Sequence, residues 1–216
     1  MWRWKLPYWN SVYAVARMLI QLLLIGFVLI YIFKAESYPI VIAVLTVMLI
    51  SSSWIALRTV DLPKKTLYMS SFLSIFIGGT SVLILITQFV LQLDPWYLPS
   101  YSIPLAGMIY ANAMNSVSLA GERLESELSR GELFEKSKNI ALRASLIPIT
   151  NALFAVGLVS LPGMMTGQIL SGVSPFIAAR YQIMVMCMVF GSAGISSALF
   201  LIFSKQAFSK VKKANQ

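Results

Sequence analysis

A chain of 216 residues that is 58% hydrophobic and only 12% charged, with a mean hydropathy of +0.77, has too few polar side chains to clothe a soluble core; it reads as an all-α, polytopic helical membrane protein. The absence of histidine and the single cysteine, Cys187, exclude Ser/His/Asp catalysis, His/Cys metal clusters and an internal disulfide. The net charge of +9 would point to nucleic acid only if the bases were spread over a surface, and they gather instead at the ends of apolar runs, so no nucleic-acid partner is expected.

Met1–Asn10 is aromatic and basic, the composition of a segment at the lipid headgroup level. Ser11–Phe33 is a first span, read as a true helix because it lacks a small-residue cleavage site. Arg17 lies inside it; an intramembrane arginine is a functional candidate by default, but this one is close enough to the end to snorkel. Pro39–Leu57 is a second span, and Arg58–Lys65 a short basic turn. Thr66–Leu93 is a third, in which Gly78, Gly79 and Thr80 permit close helix contact. Asp94–Ser100, with two prolines and no base, reads as an outer turn.

Tyr101–Ala120 is a fourth span with unusual polarity, carrying Met108, Asn112, Asn115 and Ser116. After a polar segment, Ile147–Leu170 is a fifth, interrupted at Pro162-Gly163 and followed by a GxxxG from Gly163 to Gly167, a pattern expected both to break the helix and to pack closely. Ser171–Arg180 is a second outer turn, Tyr181–Phe203 the sixth span, and Ser204–Gln216 a lysine-rich tail. The whole is expected to be one transmembrane domain over 1–216. With the polar segment inside, fifteen of the seventeen bases fall on the inner side and only Lys34 and Arg180 outside, so both termini are expected to face the cytosol of a multi-pass protein held in the lipid bilayer.

The polar segment, residues 121–146, is the one long hydrophilic run. Gly121–Arg143 holds five acids and five bases of the chain's twenty-five charges. Leu124 and Leu128, then Leu133, Ser137, Ile140 and Ala144, follow the helical period, which predicts two amphipathic helices meeting at Gly131, the left-handed stop of the first. Such a pair is either a docking surface, with Glu127, Gly131, Leu133 and Phe134 as its coupling residues, or a connector lying on the bilayer.

No GxxxxGK[ST] occurs, and all eight acids fall outside the predicted spans, so the chain has neither a nucleotide cradle nor a carboxylate relay. The polar groups left for a substrate path are Asn112, Asn115 and Gln168 with the thioethers of Met108, Met164 and Met165. Thioether sulfur suits a soft metal ion, which makes Met108, Met164 and Met165 the metal-contact candidates; methionine is also the ordinary gap-filler of helical packing.

Four stretches, ARMLIQLLLIGFVLIYIF (Ala16–Phe33), GMIYANAMNSVSLAGERL (Gly107–Leu124), ASLIPITNALFAVGLVSLPGMMTGQILSGVSP (Ala144–Pro175) and AARYQIMVMCMVF (Ala178–Phe190), resemble the FetB family of ABC-transporter membrane subunits, to which iron export is ascribed. The central segment also resembles the coupling loop of ABC permeases, with Glu127, Gly131 and Pro148 in the expected order. The resemblance implies no catalysis and no cofactor in this chain, ATP and Mg²⁺ in a separate ATPase subunit, and an assembly of two permeases with two ATPases. It implies iron as cargo, although plant members are tied to aluminium tolerance and nucleotide-sugar export, which leaves another metal or a nucleotide sugar open. Family members generally carry a further N-terminal span, so the expectation is either six spans or a start downstream of the family's first. The reading from a different class is an ATPase-independent channel or facilitator.

Overall fold

The computed structural model describes residues 8–35, 37–62 and 64–208. The expected headgroup anchor before Tyr8 and the lysines after Phe208 lie outside the described residues. Among the described residues seven α-helices run in order: α1 Tyr8–Ala35, α2 Tyr38–Ala56, α3 Lys64–Ile84, α4 Pro99–Ser129, α5 Phe134–Ala155, α6 Gly163–Leu170 and α7 Pro175–Phe203. A π-helical turn, Leu85–Val90, continues α3, its widened ladder closed by the Leu91 N–H donating to Ile86 O at 2.9 Å. There is no strand among the described residues, only an isolated bridge between Val156 and Ser160.

The centre is α4 against α7, with α3 and α5 laid along them and α2 flanking α4. Its packing rule is written in α4: Ile103, Ala106, Tyr110, Ala113, Val117, Ala120, Leu124 and Glu127 are all buried and succeed one another by alternating steps of three and four. That is the seam of a coiled coil, in which small residues let neighbouring backbones approach. Ala178, Gln182, Val185, Val189, Ser192 and Ser196 of α7 repeat the same alternation. Among glycines the closest approaches are Gly78, where a Cβ would lie 2.8 Å from Ser196 N, and Gly79, where it would lie 2.8 Å from the Tyr110 ring. The expected close contact at Gly78-Gly79 is therefore made by α7 and α4.

Among the described residues four helical stretches are long and apolar enough to cross a membrane: Val12–Lys34, Tyr38–Ala56, Lys65–Val90 and Pro175–Phe203. The first is nearly all exposed, touching the rest through Ile32, which packs with Val41 and Ile103. The fourth and fifth expected spans differ from the sequence reading, and the sixth begins earlier than Tyr181, since α7 starts at Pro175, inside the expected outer turn Ser171–Arg180. No break separates Tyr101–Ala120 from the polar segment; α4 runs unbroken to Ser129, about 46 Å of helix. Glu, Arg, Leu and Ser sustain a helix as well as the apolar run does, and Gly121 is held because a Cβ there would meet Val60 at 2.9 Å and Phe200 at 3.4 Å. Likewise α5 continues through Ala144 into the apolar run, with Pro148 inside it. The predicted helix pair is thus the shared end of two long helices. The expected interruption at Pro162 is present and wider than two residues, since helix ceases at Ala155 and resumes at Gly163. The packing expected of Gly163 and Gly167 is not made within the chain: a Cβ on either meets nothing within 4 Å.

Candidate functional site

Two regions carry the candidate residues, the hairpin joining α4 to α5 and the seam around α6. At the hairpin, Gly131 has φ +88°, where L side chains are strained. The Gly131 N–H donates to Leu128 O at 3.1 Å and the Glu132 N–H to Glu127 O at 3.3 Å, the Schellman arrangement that ends a helix on a left-handed glycine. α5 then restarts at Phe134, with Glu135 in its first turn facing the positive end of the helix dipole.

The tip is rigidified from below. Glu127 is 5% exposed, with Arg123 Nη2 at 2.7 Å and Arg130 Nη1 at 3.5 Å from its Oε1, so a carboxylate in the last slot of the α4 seam is compensated by two guanidiniums that reach solvent. The turn after α2 braces the side of α4: the Asp61 N–H donates to Glu125 Oε2 at 3.0 Å, and the Thr59 and Ser118 hydroxyls lie 2.8 Å apart. The segment after α7 braces α5, with Lys205 Nζ 3.3 Å from Glu135 Oε1 and 5.6 Å from the centre of the Phe134 ring, while Ala207 and Phe208 are buried. Glu135 also pairs with Lys138; that hydrogen bond first, and the one from Lys205 second, hold its carboxyl below the ordinary 4.5. Glu132 pairs with Lys136 at 2.9 Å, which raises the lysine above its ordinary 10.5. Of the two apolar tip residues, Phe134 is half-buried against the core and Leu133 is 78% exposed. The structure thus joins Glu127, Gly131, Leu133 and Phe134 in one braced protrusion whose foremost apolar atom set is Leu133.

In the seam, the Ser116 hydroxyl donates to Ser145 O at 3.4 Å across α4 and α5. Asn112, half-buried, donates to Met108 O at 2.8 Å within its own helix, an arrangement that turns its amide nitrogen inward along α4. Met108 on α4 and Met164 on α6 pack against the same core; Met165 and Gln168 are half-buried on α6, and Asn115 is exposed. The path candidates are thus divided between two faces. No group of three His, Cys, Asp or Glu side chains that could hold a metal ion occurs among the described residues.

Sequence reasoning missed three elements of this architecture. Glu127, expected only as a coupling residue of the helix pair, is buried in the α4 seam, a place its spacing of seven from Ala120 allows. Gln182, 6% exposed with Oε1 unpartnered, sits in the α7 seam. The Lys205–Phe208 segment has the composition of a tail and is part of the hairpin's support.

The model of the Uncharacterised protein family (UPF0014) matches residues 2–134 and 129–208. The UPF0014 membrane protein of Synechocystis is 37% identical over 194 residues, covering 82% of this chain and 74% of its own length. The Escherichia coli protein named "Probable iron export permease protein FetB" is 34% identical over 214 residues, covering 91% and 81%. The Arabidopsis thaliana protein ALUMINUM SENSITIVE 3 is 34% identical over 205 residues, covering 87% and 73%. No solved structure matches the chain. Together with the four apolar helices, these relatives identify a multi-pass membrane protein.

Proposed function

Because the chain belongs to the UPF0014 family, we propose that it is the membrane-spanning permease subunit of an ABC transporter, exporting iron from the cytosol and driven by a separate ATPase subunit that docks on residues 121–146. In this reading the protein has six spans, the fifth being the broken α5–α6 pair, with both termini and the hairpin in the cytosol of a bacterial cell and the spans in its inner membrane. The bias of fifteen bases to two supports that orientation. ATP and Mg²⁺ belong to the partner, and two permeases work with two ATPases.

The observation that carries the proposal is Leu133, an apolar side chain 78% exposed on a turn braced by Glu127, Arg123 and Lys205. A rigid apolar knob at the shared end of two long helices transmits a partner's displacement into the spans, which is what coupling requires. The substrate path then follows α4 and the broken α5–α6, where Met108, Asn112, Asn115, Met164, Met165 and Gln168 offer soft and neutral ligands suited to weak, reversible contact with a metal cargo. The iron assignment draws on the name of the Escherichia coli relative.

The test is co-expression with a candidate ATPase partner found by pull-down, reconstitution, and measurement of ATP hydrolysis with and without ferrous iron. Stimulation by iron that disappears when Leu133 and Phe134 are replaced by Asp supports docking and cargo together. A stable pair indifferent to iron keeps the permease and redirects the search to another metal or a nucleotide sugar. Iron flux through liposomes holding this chain alone overturns the ATPase-driven reading in favour of a channel.

A further inference from the structure

Resting on the paired permease proposed above, we propose that the break between α5 and α6 is the permease–permease interface, covered in the membrane by the same surface of a second copy of this chain.

The starting point is depth. The Ser116–Ser145 hydrogen bond sets the antiparallel register of α4 and α5, which puts Ala155 level with Ala106 of α4. Ala106 lies seven residues in from Pro99, so the break sits about 10 Å along α4 from its Pro99 end, which in the six-span arrangement proposed above lies inside the bilayer.

Non-helical backbone at that depth must be covered by protein or line water, because hydrocarbon offers no hydrogen bonds. This chain does not cover it. Residues 157–161 are all exposed, with Leu158 at 89% and Val159 at 83%. The turn satisfies part of its own backbone: the Gly157 N–H donates to Ser160 O at 3.0 Å, and the Val159 and Ser160 N–H groups to Ala155 O at 2.8 and 3.3 Å. The N–H groups of Leu161, Gly163, Met164 and Met165 find no acceptor among the described residues.

Three observations choose the occupant. The side chains around the bare backbone, Leu158, Val159, Leu161 and Leu170, are apolar and exposed, which is wrong for the wall of a water-filled cavity. Gly163 and Gly167 are four apart on one helix with open space before both, the small-residue spacing on which membrane helices pair. Finally, no charged residue lies between Ala144 and Ala179. A two-fold contact places each residue against its own neighbourhood, so an uncharged face can pair with itself without like-charge repulsion.

The experiment uses the full chain in native membranes, with Cys187→Ser removing the one native thiol. Val159→Cys is oxidised with copper phenanthroline, and Leu23→Cys, on the exposed face of α1, serves as the lipid-facing control. A covalent dimer at position 159 and not at 23 is expected. Gly163→Leu/Gly167→Leu, at positions where a Cβ meets nothing within 4 Å in its own chain, should leave the thermal melt unchanged and lower that cross-link about tenfold, the effect of roughly 1.4 kcal/mol of lost association. Cross-linking no stronger than at Leu23, cross-linking insensitive to the leucines, or labelling of Val159→Cys by a water-soluble maleimide without dimer overturns the interface. Particle mass separates the two levels: a dimer in mild detergent that fails to cross-link at 159 leaves the paired permease standing and removes this surface, whereas a monomer throughout removes both.

Discussion

A Cβ built on Gly78 would lie 2.8 Å from the backbone nitrogen of Ser196 and nearer still to its hydroxyl oxygen, so α3 and α7 meet at backbone distance. The hydroxyl can turn aside, but the Ser196 backbone nitrogen and Cα cannot. Gly78→Ala should cost about 1–3 kcal/mol, the usual penalty of overpacking, although alanine is the better helix former. Gly191→Ala, in the same helix bundle but with nothing within 4 Å, should be neutral or slightly stabilising. Ser196→Ala should also be neutral or stabilising, because the Ser196 hydroxyl is fully buried and has no hydrogen-bond partner. Thermal melts in one detergent rank the three variants; equal melting of Gly78→Ala and Gly191→Ala would refute the close contact.

The carboxylate of Glu127 gives a second test. Its side chain is 7% exposed, whereas Arg123 and Arg130 are 42% and 63% exposed, so removing an arginine strands a buried charge and removing the glutamate leaves cations that can turn to water. Arg123→Gln should therefore destabilise more than Glu127→Gln, by about 1–3 kcal/mol, and more than Arg130→Gln, whose distance of 3.5 Å against 2.7 Å marks the weaker pair. A double-mutant cycle between positions 123 and 127 reads the coupling directly; a value near zero would mean that the pair does not brace the tip.

The hairpin also shows why some of the architecture is legible in the sequence and some is not. Gly131 is legible as a stop because only a left-handed turn asks for glycine between two helix-forming runs. Pro162 is legible as a break because it removes a ladder bond in an apolar run. The continuity of α4 is hidden, since charge marks departure from apolar surroundings and says nothing about whether the helix ends there. The burial of Glu127 is hidden by the same inference from charge, although its spacing from Ala120 places it on the seam. The GxxxG of α6 has the spacing of a packing motif and faces open space, because spacing identifies a face capable of close approach and does not name what approaches it.

The ion pairs of Glu135 give a pH dependence with a definite sign. Lys138 and then Lys205 hold the native carboxyl below the ordinary 4.5, so the attachment of the post-α7 segment to α5 is complete above that value. It is lost only as pH falls through the lower native value, and a rise in pH through the neutral range leaves it unchanged. The side-chain carboxyl ¹³C resonance of Glu135 should titrate with a midpoint below 4.5; Lys138→Ala should move that midpoint upward, and Lys138→Ala/Lys205→Ala further still. A midpoint unmoved by either change would show that neither lysine holds the carboxylate.

Docking itself separates Leu133 from Phe134, which the sequence places side by side. Phe134 is half-buried against the core with Lys205 over its ring, so Phe134→Asp loses packing as well as any surface role. Leu133 is 78% exposed, and Leu133→Asp should change stability by no more than about 0.5 kcal/mol. If the tip is the contact with the ATPase, Leu133→Asp alone should cost at least about tenfold in affinity for that partner, because an ionised side chain replaces an apolar anchor at a site that must desolvate. Co-purification and the ATP hydrolysis of the reconstituted pair report the loss, and an unchanged melt shows that the fold is intact. Retained binding by Leu133→Asp with loss only in Phe134→Asp would relocate the contact from the apex of the turn to the α5 face beside Lys205.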